Sequence, residues 1–347
     1  MTRGEAGVFR FERILAGAEG RDHVAEGGAH LGECTVVARE RHKGEHIAGA
    51  DTIGGEPLRV GRDLVLSMSD LPPRRLIPAA DAFSGAQLVP ASANISGRLS
   101  NGVQLHGALL CGGESGIMLL EREARLIHRT VSQAEDIITL SALPGLVVVG
   151  MLRGIETVRV QPDFTATRLA VVPDFQSETT NLVETRDRTV WAGTTAGLAL
   201  RLQFDASGAL TRQTVFDATR GLPSEVGWIR VQAYRGEPLV IAKQGVFHLD
   251  SSGEKLVPDP RFARRFPAGV NTLPIESDGD SRFWFQIRRA DGGFEFGCLD
   301  LAAPGAPSWT PLPAEIGASL GFSGARSIIF VREDRRDFLW ISGTRCT

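Results

Sequence analysis

Asn181-Leu182-Val183-Glu184-Thr185-Arg186-Asp187-Arg188-Thr189-Val190-Trp191-Ala192-Gly193-Thr194-Thr195-Ala196-Gly197-Leu198-Ala199-Leu200-Arg201-Leu202 reads as three short strands joined by two turns. Alternation over Asn181–Glu184 gives way to the polar turn Thr185-Arg186-Asp187-Arg188. A second strand runs to Thr194, and Gly197–Leu202 forms a third after a two-residue tip. Short period-two runs are the pattern of strands, whereas an amphipathic helix needs apolar positions three and four apart. Gly197 closes the second hairpin, because a tight turn demands a positive φ that glycine adopts without a steric penalty.

The same unit recurs along the chain. One copy is Ile137–Leu140, Gly145–Gly150 and Gly154–Val158; another is Trp228–Val231, Glu237–Ala242 and Gly245–Asp250. Ala108–Gly112 leads to Gly116–Leu120, and a looser copy joins Thr272–Ile275, Phe283–Phe285 and Gly293–Phe296. Anchored on Gly116, Gly154, Gly197, Gly245 and Gly293, the intervals are 38, 43, 48 and 48 residues. A period of ~40–50 residues with four short strands per unit is that of β-propeller blades. Strand alternation and glycine density exclude solenoids of helix pairs.

The ends carry matching halves. Gly4–Phe11 looks like the second half of a unit, and Arg326–Thr344 like a first half. Joined, they make one blade and remove the sheet edge that an open repeat would leave exposed; a chain cut mid-blade from a longer protein would show the same ends. Residues 13–107 follow the pattern poorly, with one unit centred on Leu58–Leu66. Counting Gly7, a position near Gly61 and the five anchors gives seven blades, about fifty residues each. The expectation is an all-β, seven-bladed β-propeller, a single domain over 1–347 whose residues 1–12 and 326–347 share a blade.

Composition narrows the function. With 38 basic and 41 acidic residues the formal charge is -3, which excludes a strongly basic nucleic-acid binder and an acidic tail protein. No apolar run approaches the ~18–20 residues of a membrane helix, and Met1–Glu5 lacks the apolar core of a signal peptide. The chain therefore reads as soluble, without a membrane segment or export address. Lysine stands only at 43, 243 and 255, and Tyr234 is the single tyrosine, so motif positions held elsewhere by Tyr or Lys can hold Phe, Leu or Arg. Cys34, Cys111, Cys298 and Cys346 form no metal-binding spacing, and no cofactor or metal is expected. Cys111 and Cys298, in apolar Gly-flanked segments, read as buried thiols; nothing requires a disulfide.

The units resemble the two-component regulator propeller repeat, the sensor module of many bacterial hybrid histidine kinases. Gly221-Leu222-Pro223-Ser224 stands before a strand, as in that repeat. Val190-Trp191-Ala192-Gly193-Thr194 with Gly197-Leu198 matches its centre, and Arg332-Glu333-Asp334 with Leu339-Trp340-Ile341 matches in the last copy, where Ser342 shifts the glycine by one. Gly245-Val246-Phe247 and Gly7-Val8-Phe9-Arg10-Phe11 match the closing strand. The resemblance covers the chain from about residue 95 and the first dozen residues. It implies a non-enzymatic sensor that signals to a histidine kinase or regulator module outside this chain. It also implies a periplasmic location, although the lack of an export signal leaves the cytoplasm open.

In a propeller, ligands meet the face built by the turns from second to third strand and by the crossovers between blades. The first group holds Glu114, Ser115, Arg153, Thr194, Thr195, Lys243, Gln244, Arg288 and Arg289; the second holds Glu178, Ser224 and Glu225. Their charges lean slightly basic, which suits a small polar ligand such as an oligosaccharide. The alternative is a lyase or lactonase on the same fold, which needs convergent His and carboxylate groups. His106, His128 and His248 are scattered over different strand phases and suggest no such cluster. His42-Lys43-Gly44-Glu45-His46 has the spacing of an inverted zinc-protease motif, but that chemistry needs a helix and glycines crowd the segment. Gly321-Phe322-Ser323-Gly324-Ala325 reads as a loop before a strand at Ser327 rather than a nucleophile elbow, and Glu276–Asp280 as a hairpin turn rather than a calcium loop. Trp191, Trp284 and Trp340 are expected to pack between blades.

Overall fold

The computed structural model describes residues 6–12, 28–31, 34–37, 58–60, 63–66, 74–77, 87–90, 99–121, 124–224, 227–263, 272–277, 281–288, 294–302, 308–311, 322–333 and 336–345. Almost all of them lie in antiparallel strands or their turns: the fold is all-β and propeller-like. The chain divides into two compact units, Gly54–Gly269 and the pair of segments Met1–Ile53 and Val270–Thr347.

Strands β1 (Ala6–Glu12), β2 (Gly28–Leu31) and β3 (Cys34–Val37) belong to the second of these. The larger unit opens with β4 (Leu58–Val60), β5 (Asp63–Leu66), β6 (Arg74–Ile77) and β7 (Gln87–Pro90), one sheet in sequential order. The next is β8 (Leu99–Leu105), β9 (Ala108–Gly113), β10 (Gly116–Leu120) and β11 (Ala124–Arg129). Then come β12 (Ala134–Thr139), β13 (Leu146–Met151), β14 (Gly154–Val160) and β15 (Ala166–Val171), and β16 (Thr179–Glu184), β17 (Val190–Thr194), β18 (Ala199–Phe204) and β19 (Leu210–Phe216). The unit ends with β20 (Ile229–Tyr234), β21 (Glu237–Ala242), β22 (Gly245–Leu249), β23 (Leu256–Pro258) and the single turn α1 (Pro260–Ala263). Each set of four is a meander in chain order.

Burial explains the residue choice. Every residue of β10, β13 and β17 is buried, while β15 is largely exposed. A strand covered on both faces loses its polar alternation, hence the unbroken Leu146-Val147-Val148-Val149. Neighbouring residues feed different cores, because side chains alternate across a sheet. Val147 and Val149 pack with Leu110, Ile117 and Leu119 of the preceding sheet. Leu146 and Val148 pack with Leu182, Val190 and Leu200 of the following one. Trp191 turns the other way, stacks on Phe216 at 5.0 Å between ring centroids, and meets Ile229 and Val240 of β20 and β21. It packs between sheets, as expected.

A polar device repeats where first strands meet. β8, β12 and β16 are each bulged near their start. At or just past the bulge stands a polar side chain: Asn101 donates from Nδ2 to the Ile137 carbonyl at 3.1 Å and accepts the Ile137 N–H at 2.7 Å. Asn181 does the same with Val231, at 2.5 and 2.9 Å. Asp136 accepts the N–H of Leu182. On the second strands, Gly112, Gly150 and Gly193 leave room for this approach: a Cβ on Gly150 would stand 2.5 Å from Thr179 Cγ2.

In the other unit, β1 pairs antiparallel with β29 (Arg336–Arg345), from Ala6 opposite Thr344 to Glu12 opposite Phe338. β29 pairs in turn with β28 (Phe322–Glu333), and β24 (Thr272–Ser277), β25 (Arg282–Arg288), β26 (Phe294–Asp300) and β27 (Ser308–Pro311) form one more meander. β28 begins at Phe322, so Phe322–Ala325 are strand and not the loop expected before Ser327; irregular pairing there hides the alternation. Cys298 is half-buried, against the expectation of a buried thiol, whereas Cys111 is buried and its thiol pKa is pushed far up by that burial. Residues 42–46, Asp278–Asp280, Cys346 and the side chains of Cys34 and Trp340 lie outside what is described.

Candidate functional site

In the unit Gly54–Gly269, the turns from second to third strand are laced to the crossovers between sheets. In the β9–β10 turn the Ser115 carbonyl accepts the Thr130 N–H at 3.4 Å. In the β13–β14 turn Leu152 N–H donates to the Gln133 carbonyl at 2.8 Å, and Arg153 N–H to Ser132 Oγ at 3.0 Å. Gly154 N–H donates to the Ser177 carbonyl at 3.2 Å, and Thr195 N–H to that of Glu178 at 3.1 Å. The Ser177 and Thr195 hydroxyls stand 3.5 Å apart. Backbone groups thus hold the rim, and the side chains of Glu114, Arg153, Thr195 and Lys243 are left exposed, with Glu178 and Gln244 half-buried.

Of the residues expected here, Glu178 and Thr195 meet directly, the Glu178 carbonyl accepting the Thr195 N–H, and Arg153 meets the Ser132 crossover. Thr194 does not belong to the rim. It is buried and closes its own hairpin, donating to the Leu198 carbonyl at 2.8 Å and accepting its N–H at 3.0 Å. Ser224 is exposed on the β19–β20 crossover. The motif preceding it is structural: Gly221 takes φ 94° to end a 3-10 turn capped by Asp217, and Leu222 is buried beside Phe216 and Leu256. Arg288 ends β25 in the other unit, and Glu225 and Arg289 lie outside the described residues.

Two histidines that seemed scattered each face a buried carboxylate. Glu156, wholly buried on β14, accepts from His128 Nε2 of β11 at 2.8 Å and lies 2.9 Å from Arg168 Nε of β15. Asp259, buried after β23, accepts from Arg261 Nε at 2.8 Å and lies 3.6 Å from His248 Nδ1. That carboxylate raises the Arg261 pKa through its hydrogen bond, and the guanidinium sits 4.7 Å over the Tyr234 ring. Sequence spacing carried no hint of these pairs, since their members sit on different strands. A second repeat is legible in the sequence: Asp205-Ala206-Ser207-Gly208 and Asp250-Ser251-Ser252-Gly253 form the third-to-fourth-strand turns. Hydroxyl hydrogen bonds from Ser207 and Ser252 hold these carboxyls below the ordinary aspartate value. Among the described residues, no three His, Cys, Asp or Glu side chains converge as a metal site, and no helix is long and apolar enough to cross a membrane.

No family model matches the chain, and no curated protein sequence matches it. Solved structures do. The extracellular domain of a putative hybrid two-component system from B. thetaiotaomicron superposes with a TM-score of 0.55 at 12% identity, over 85% of this chain and 37% of that one. A computationally designed protein, Ika8, superposes with a TM-score of 0.52 at 12% identity, over 82% of each chain. The chain thus spans little more than a third of the two-component extracellular domain it is similar to. At this identity the likeness is one of fold.

Proposed function

We propose that the chain is the ligand-sensing propeller of a two-component signalling protein, which binds a small polar ligand such as an oligosaccharide and does no chemistry on it. In this reading the sheets are blades of a seven-bladed ring, with β1 joining β28 and β29 in one of them. The chain works in the periplasm and signals to a histidine kinase or regulator module outside it. The observation that carries the reading is the rim, where a backbone fixed by interlaced hydrogen bonds presents Arg153 and Thr195 to solvent, with Ser224 and Lys243 exposed on the next crossover and turn. Such a platform keeps its shape while side chains set the ligand. Glu114, Glu178, Gln244, Glu225, Arg288 and Arg289 complete the proposed ligand set. The likeness in fold to a two-component extracellular domain supports the role.

Calorimetric titration with neutral and anionic oligosaccharides tests it. Saturable heat from one class, weakened about tenfold in Arg153→Ala or Thr195→Ala by loss of a hydrogen bond to the ligand, is expected. Heat from neither class would sink the proposal. The competing reading, a lyase or lactonase, draws on the His128–Glu156 and His248–Asp259 pairs. Both carboxylates are buried and already engaged by arginine, which favours binding over catalysis. Turnover of a lactone or uronide substrate that His128→Ala abolishes would reverse that preference.

A further inference from the structure

We propose that the rim sector formed by the β11–β12 crossover and the β13–β14 turn takes a sugar acid with one carboxylate and an apolar substituent, such as a methyl ether. The inference rests on the rim reading above and narrows its ligand class. The second-to-third-strand turns Glu114–Ser115, Leu152–Arg153, Thr195–Ala196 and Lys243–Gln244 occupy equivalent places in their sheets. Their first positions are polar in three cases, as a solvated turn favours. Leu152 is the exception, and it stays 41% exposed, so the core gains little from it. The crossover facing that turn holds a second exception, Val131, at 63% exposure.

Backbone bonds bring the two loops together. Leu152 N–H donates to the Gln133 carbonyl at 2.8 Å and Arg153 N–H to Ser132 Oγ at 3.0 Å, so the turn lies along the crossover that carries Val131. Thr130 Oγ1 braces that crossover by donating to the Ser132 carbonyl at 2.5 Å. Two apolar side chains are thus held at the surface on a backbone that needs no ordering when a ligand arrives. Charge sets the rest of the ligand. Arg153 is the only charged residue of Thr130–Gln133 and Leu152–Arg153, and Arg129, also exposed, stands two positions before Val131. Neither guanidinium forms an ion pair among the described residues. Carboxylates occupy the loops on either side: Glu114 in the turn bonded to Thr130, and Asp174 and Glu178 on the crossover bonded to Gly154. They repel a polyanion and leave room for one carboxylate at Arg153. An apolar group beside that carboxylate covers Val131 and Leu152.

The test is calorimetric titration of the full chain with xylotriose, xylotriose bearing glucuronate, and xylotriose bearing 4-O-methylglucuronate. The two acidic probes differ by one methyl group. The neutral sugar is expected to bind about tenfold more weakly than either acid, or worse, for want of the charged partner to Arg153. The methyl ether is expected to bind about fourfold more tightly than its parent acid, the effect of burying one methyl group. The double variant Val131→Ser, Leu152→Ser should erase that preference, and its Tm should match the parent's because both side chains are exposed. Equal binding of the two acids, a preference that survives in the double variant, or a neutral sugar that binds as well as the acids overturns the inference and leaves the rim reading standing. Heat from none of the three probes overturns both.

Discussion

Asn181 shows how one polar side chain can stand in for a missing strand partner. Its amide offers a donor and an acceptor in one plane, and both are used on the backbone of Val231, fifty residues away. Removing it leaves a buried N–H and a buried C=O without partners, and each carries a desolvation cost. Asn181→Ala is expected to lower stability by about 2 kcal/mol in urea unfolding. Asp187 works within its own turn. Burial alone would raise its carboxyl, but hydrogen bonds from the Thr185 and Thr189 hydroxyls and the Thr189 N–H outweigh it and hold the pKa below the ordinary 3.8. A folded-state value below the unfolded one contributes stability that is complete above pH 3.8 and is lost as the pH falls through the folded value. Asp187→Asn should therefore show a shallower loss of Tm than the parent on acidification from about pH 5 to about pH 2. An unchanged slope would mean that the turn holds its shape without the charge.

At the scale of the strand, the device that sets one sheet against the next is an absence of side chain. Gly193 on β17 lies so close to the Ile229 carbonyl that a Cβ would overlap it, with Arg230 Cα 2.9 Å away. Backbone cannot swing aside as a flexible side chain can, so the neighbouring strand must shift. Gly193→Ala should cost about 1–3 kcal/mol despite its single methyl group, the range for overpacked cores. Gly227→Ala, where a Cβ meets nothing within 4 Å, serves as the control and should be near neutral by thermal unfolding. The glycine of the Trp-x-Gly-Thr motif thus owes its place to packing between sheets. Its Thr194 closes a hairpin, so a motif first noticed for its family likeness is chiefly structural.

For the molecule as a whole, β1 gives the C-terminal hairpin its third strand. Deleting Met1–Glu12 would leave the β29 backbone with an open edge, which invites pairing with another copy. A Tm lower by about 5 °C or more, with association visible in light scattering, is the expected result. A truncated chain that stays monomeric and equally stable would show the strand to be dispensable. Strand content, repeat length and turn glycines were legible in residues 108–250 because they are local: alternation and a left-handed turn are dictated by neighbours a few positions away. Fourth strands such as β15 escaped notice because an exposed edge needs no apolar alternation. The meeting of His128 with Glu156, of Asn181 with Val231, and of Arg168 with the end of β11 joins residues on separate strands, and the local pattern is the same whichever partner is chosen. The sequence by itself therefore determined that this chain is a series of short antiparallel sheets. Only the stacking of sheet on sheet decided which carboxylates are buried and which turns make a rim, because those follow from burial between faces brought together over tens of residues.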